Sequence, residues 1–299
     1  MLMLLALVVM GWSWWAERNP RQERQLRVGL QDQLARSFPA VMNPADDRYG
    51  IAETGSAGWR GLRVVLVHGL DEPGDIWADL VPALGSAGFE AWEFRYPNDQ
   101  GIDRSADLLA SQWPTVPADL PVVLIGHSMG GLVIRDFVTR WLHPAATLSA
   151  VEGAAVHGVI LAGTPNQGSE WARLRVWLEL RDHWAAGWRS GFSAFAGVRD
   201  GTGAAKVDLR PGSAFLDELN VRPWPQQVPL RIIGGVLLST PALGDGVVAT
   251  DSLAAPGAPP PILVDASHRG MLMRLLESDD EPPAIGVILT LLEGLDRSG

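Results

Sequence analysis

The chain has no cysteine. That absence removes disulfides, thiolate nucleophiles and cysteine-based metal sites, leaves the redox compartment open, and puts the burden of stability on ordinary packing. Basic residues are also sparse. Against 34 Asp and Glu stand only 24 Lys and Arg, a formal net charge of −10, with no Lys/Arg block outside the arginines at 18–27. A surface that tracks a phosphate backbone needs such a block, so nucleic acid is not an expected partner. There is no internal repeat or long low-complexity tract, and Pro259–Pro261 is a short stiff connector. With 299 residues, 47% of them apolar, the chain suits one large α/β domain plus an appendage.

Charge is missing altogether from Met1 to Trp15, a run mostly of Leu, Val, Met, Ala and Trp. It reads as a hydrophobic targeting or anchoring segment. Nothing basic precedes Leu2 and the run closes on Trp14 and Trp15 rather than on small residues, so an uncleaved anchor is expected. The run is shorter than the roughly 20 residues of a full span, while its tryptophans suit a membrane interface. Arg18, Arg21, Arg24 and Arg27 favour a cytoplasmic location for the domain on their C-terminal side. An exported, periplasmic placement and a helix simply packed on the domain are the alternatives.

Residues 16–60 are polar, with a weak helical pattern at Leu26, Leu30 and Leu34, and read as a connector with one surface helix. From residue 61 to 299 apolar strands alternate with helices. Strands are expected at Leu62–Val67, Phe89–Phe94, Val122–Ile125, Val156–Ala162, Leu230–Ile233 and Ile262–Val264. Helices are expected at Trp77–Leu84, Arg104–Trp113 and Leu132–Leu142, from near Gly270, and at Ala284–Leu292. Such alternation implies a doubly wound α/β fold with a mostly parallel sheet. The rhythm lapses at about 169–225, where Trp171, Trp177, Trp184 and Trp188 precede a glycine-rich run. This reads as an inserted cap over the site, although tryptophans at helical spacing also suit a helix packed on a core.

Gly126-His127-Ser128-Met129-Gly130 lies between an apolar strand and a helix opening at Gly131. In a tight strand-to-helix turn, bulk at the flanking positions would clash, so the glycines are steric requirements that leave the Ser128 hydroxyl exposed as a nucleophile. The helix start below it favours developing negative charge, with the Met129 amide as one oxyanion donor. His68-Gly69-Leu70 comes after the first strand of this region and offers the Leu70 amide as the second. A serine hydroxyl needs a base. Of six histidines, His68 and His127 belong to loops beside the serine, His143 ends a helix, His157 opens a strand and His183 lies in the cap. His268 comes after the last strand, at the sheet edge where ligands collect. The acid should precede it, and Asp245, between two glycines, fits; Asp251 and Asp265 are rivals.

These motifs, with Gly163-Thr164-Pro165-Asn166-Gln167-Gly168-Ser169 and Asp245-Gly246-Val247-Val248, resemble the lipase and esterase branch of the α/β-hydrolases, near bacterial triacylglycerol lipases and GPI inositol-deacylase-like serine esterases. The similarity covers about residues 61–295. It implies an α/β-hydrolase fold, hydrolysis of carboxylic, acyl or lipid-like esters by Ser128, Asp245 and His268, an oxyanion hole of Leu70 and Met129, and no cofactor. The disulfide and calcium signatures of secreted lipases are lacking. An acyltransferase, thioesterase or amidase would use the same residues, and a membrane-tethered binding module would use the fold without them.

Overall fold

In the computed structural model the described residues are 2–42, 49–55, 58–72, 74–145, 149–171, 201–238, 244–274 and 280–297. Among them, seven strands form one sheet: β1 (Gly50–Glu53), β2 (Arg63–Val67), β3 (Glu90–Arg95), β4 (Val122–His127), β5 (Val156–Ala162), β6 (Leu230–Val236) and β7 (Ile262–Asp265). Their spatial order is β1-β3-β2-β4-β5-β6-β7. Every neighbouring pair is parallel except β1 with β3. The central strands read as unbroken apolar runs because helices cover both faces.

Along β2, Val65 and Val67 enter one core while Val64 and Leu66 enter the other. The period of two in a pleated strand makes this alternation. The first core lies under α5 (Ile102–Gln112) and α6 (Met129–Phe137), with Trp113 and Phe137 packed ring to ring. The second lies under α4 (Leu80–Ser86) and the C-terminal helix Pro283–Asp296. After β7, residues 268–272 form turns where a helix is expected near Gly270.

One feature departs from the sequence pattern and a second, the expected connector helix, is longer than its leucine pattern. β1 has no apolar run of its own; it exists because β3 offers it an edge, with Ile51 opposite Phe94. Residues 20–37 form a full helix, α2, between α1 (Leu2–Arg18) and the single turn α3 (Pro39–Met42). A helix this polar docks through charge. Glu23, wholly buried, takes Arg210 Nη1 at 2.7 Å on Oε2, and Arg24 Nε meets buried Asp208 at 2.5 Å. Arg27 donates to the Thr202 carbonyl and the Thr202 hydroxyl to the Arg27 carbonyl, both at 2.6 Å. Residues 201–210 are thereby fastened to α2, and Ala204–Asp208 (α7) and Ala214–Val221 (α8) come next, with Leu209, Leu216 and Leu219 in the first core. Trp177, Trp184, Trp188 and His183 of the expected cap lie outside the described residues.

α1 is 17 residues long, about 25 Å at the helical rise, against a hydrocarbon core of about 30 Å. No helix among the described residues is long and apolar enough to cross a membrane. Met10, Trp12 and Trp14 are exposed, and Arg18 lies over the Trp14 ring.

Candidate active site

The register brings the carboxyl ends of the strands to one edge. Val67 stands opposite Gly126, His127 opposite Ala162, and Val236 opposite Asp265. The residues just beyond these strands therefore share one rim, where open α/β sheets collect ligands. Ser128 sits at the top of β4 with φ 53°, a left-handed conformation that costs a non-glycine residue about 1–3 kcal/mol. The turn is packed so closely that a Cβ on Gly130 would lie 2.1 Å from the Val67 carbonyl oxygen, and one on Gly126 2.7 Å from the Gly131 backbone. Glycine is the only residue that fits.

His268 Nδ1 lies 2.7 Å from Asp245 Oδ2. The other carboxylate oxygen accepts the amides of Val247 and Val248 at 2.9 and 2.7 Å, and the His268 amide donates to the Asp245 carbonyl at 3.0 Å. Both side chains are buried. With Nδ1 engaged, Nε2 is the ring nitrogen available to a partner. Asp251 is exposed on the 3₁₀ turn Thr250–Leu253 and Asp265 is exposed at the end of β7, so neither rival is at the histidine.

Ser128 and His268 line one cavity of about 210 Å³, walled by Leu70, Pro165, Trp171, Leu209, Val247 and Val248 and edged by Asp71, Glu72, Ser169 and Arg269. Among the described residues, the backbone amides of Leu70 and Met129 donate to no protein acceptor. Next to this cavity a wider hollow of about 550 Å³ shares Trp171 and Val247 and includes Asp251. Among the described residues no group of His, Asp and Glu is placed to hold a metal ion.

Residues 64–282 match the family model described as the alpha/beta hydrolase family. The chain belongs to the α/β-hydrolase family. Solved structures agree on the fold: Bacillus licheniformis lipase BlEst2 in mature form is 17% identical with a TM-score of 0.52, over 82% of this chain and 99% of that one. A metagenomic carboxyl esterase is 16% identical with a TM-score of 0.62, over 82% and 78% of the two chains. A type II thioesterase from yersiniabactin biosynthesis is 15% identical with a TM-score of 0.53, over 83% and 98%. Curated protein sequences give no significant match.

Other residues of this α/β hydrolase hold the site together. Asn166 accepts from buried Arg135 Nη1 at 3.0 Å and donates to the Leu253 carbonyl at 2.6 Å, while Ser169 Oγ donates to the Val247 carbonyl at 2.6 Å. The Gly163–Ser169 segment thus ties the rim after β5 to the loop bearing Asp245. Burial lowers the pKa of His68, whose ring stacks on Tyr96 and whose carbonyl accepts the Tyr96 hydroxyl at 2.6 Å. Glu72 is a site residue that no sequence signal marks. It belongs to no motif, and only the chain's path places its carboxylate 2.6 Å from His127 Nδ1.

Proposed function

We propose that the protein is a serine hydrolase of carboxylic esters, with Ser128 as nucleophile, His268 as base and Asp245 as the acid that orients it. The observation that carries this reading is the buried His268–Asp245 contact at the rim of a cavity that Ser128 also lines. In the forward step Ser128 Oγ attacks the ester carbonyl while His268 Nε2 takes the hydroxyl proton. The Leu70 and Met129 amides stabilise the resulting oxyanion. Collapse breaks the bond to the alcohol, which leaves with the proton from His268. Water, deprotonated by the same histidine, then releases the acid and regenerates Ser128. No cofactor enters this cycle.

The walls of Leu70, Trp171, Leu209, Val247 and Val248 favour an acyl or lipid-like substrate over a charged one. Helix α1, without charge up to Ala16 and with Trp12 and Trp14 exposed, supports association with a lipid surface, uncleaved and lying at the interface. Ser128→Ala is expected to abolish hydrolysis of p-nitrophenyl esters and labelling by a fluorophosphonate, and retention of most activity would refute the assignment. An ester panel from acetyl to palmitoyl reads the chain preference. Competing alcohol, thiol and amine acceptors distinguish hydrolysis from acyl transfer, and thioester and amide substrates test the remaining alternatives.

A further inference from the structure

His127 is fully buried beside the nucleophile and has no part in the proton transfers of the Ser128 reaction. Both of its ring nitrogens are engaged: Nδ1 lies 2.6 Å from Glu72 Oε2, and Nε2 lies 3.0 Å from the His268 backbone carbonyl. A carbonyl oxygen only accepts, so Nε2 carries a hydrogen. The contact from Nδ1 to a carboxyl oxygen then needs a second hydrogen, on the ring or on the acid. This pair therefore holds one proton more than the His268–Asp245 pair, whose outer ring nitrogen must be bare to act as a base.

Burial opposes charge on both partners, but the interaction between them prevails. Glu72 is held at about 2 and His127 is raised above its ordinary value, so the extra proton belongs to the imidazole. Such an imidazolium has no lone pair and cannot serve as a base. Its ring is 4.7 Å from that of His268, where an uncompensated positive charge would oppose protonation of the base during attack. Glu72 cancels it. The same carboxylate accepts the Gly69 amide at 3.3 Å and lies 3.8 Å from Arg269 Nε. One acid thus touches the loops that bear Leu70 and His268 and the residue preceding Ser128.

We propose that Glu72 and His127 are positioning residues of this hydrolase, a proton-holding clasp that fixes the oxyanion loop and the base loop against the nucleophile turn. The proposal rests on the reaction assigned to Ser128. The titratable and charged groups facing His127 are Glu72 from the loop after β2, Asp245 from the loop after β6, and His268 with Arg269 from the loop after β7. Trp77 meets it with an uncharged ring.

Glu72→Gln separates the clasp from a merely structural contact. Its amide can donate to a neutral His127 Nδ1 while Nε2–H still reaches the His268 carbonyl, at the loss of the long 3.3 Å bond accepted from the Gly69 amide. Imidazole nitrogen NMR of the intact protein is expected to show His127 protonated on both nitrogens at neutral pH, and on Nε2 alone in Glu72→Gln. Glu72→Ala and His127→Ala are expected to lower kcat about 100-fold through misplacement of the reacting groups, with KM little changed. Glu72→Gln should recover most of that loss. It should also lack the alkaline decline in kcat expected of the wild type as His127 gives up its proton. A singly protonated His127 in the wild type would overturn the proposal, as would full kcat in Glu72→Ala or a Gln variant as slow as the Ala variant. Because Glu72→Gln preserves shape, the test survives misfolding of the alanine variants. Absence of Ser128-dependent turnover in the wild type would refute the reaction instead, and the NMR arm still reads the clasp.

Discussion

Asp245→Asn changes one atom, and its effect is set by the groups around that atom. Oδ1 receives two backbone amides, from Val247 at 2.9 Å and Val248 at 2.7 Å, and Oδ2 faces His268 Nδ1 at 2.7 Å. Asparagine has one accepting end and one donating end. Turning the donating end toward the two amides would strand buried donors, each at about 1–3 kcal/mol. The carbonyl therefore takes the amides, and the NH₂ group faces His268. Nδ1 must now accept, which moves the ring hydrogen to Nε2, the nitrogen that should receive the serine proton. A wrong-tautomer change of this kind costs about 10⁴ in kcat in a serine protease triad, or about 5 kcal/mol of barrier. Asp245 is not on the cavity wall, so KM should hold. The assay is steady-state hydrolysis of a p-nitrophenyl ester, with thermal unfolding as a check on the fold. Asp251→Asn, exposed on its 3₁₀ turn, is the control and should match the wild type. Near-normal kcat in Asp245→Asn, or an equal loss in Asp251→Asn, would refute the reasoning.

Gly130→Ala would drive a methyl to 2.1 Å from the Val67 carbonyl and 2.4 Å from that of His68; because both are backbone atoms that cannot yield, a loss of at least about 3 kcal/mol in urea unfolding is expected. Glu23→Leu leaves Arg210 buried without its 2.7 Å partner, which should cost about 3–5 kcal/mol by the same measurement. A loss below about 1 kcal/mol would mean that α2 is not integral to the fold. The Glu72–His127 pair should also shape stability against pH. Glu72 falls from an ordinary 4.5 to about 2, so its contribution is present above pH 4.5 and fades as pH drops toward 2. His127 is raised above 6.5, so its contribution is complete below that pH and is lost as pH rises through the raised value. The stability difference between wild type and Glu72→Gln should therefore be largest between about pH 4.5 and 6.5, and a flat difference would contradict the ion pair.

Much of the fold was legible because it depends on local pattern. Apolar runs such as Val122–Ile125 read as buried strands, and a serine between Gly126 and Gly130 after such a run reads as a tight turn. Burial on both faces and steric exclusion act on neighbouring residues, so sequence order records them. The choice of Asp245 over Asp251 and Asp265 was open in the sequence. What separates them is the path between β6 and β7, which brings one carboxylate to His268 Nδ1 and leaves the others exposed. β1 likewise needs a partner, since its four residues gain their hydrogen bonds only from β3. The docking of α2 depends on Glu23 and Arg210, which are distant in the chain and indistinguishable in sequence from surface charges. Glu72 is the sharpest case. Its charge and its contacts with Gly69, His127 and Arg269 exist only where the loops after β2 and β7 meet the end of β4. Local sterics and periodicity determined the strands and the tight turn at Ser128, whereas long-range electrostatic pairing, which has no period, was decided by the tertiary structure alone.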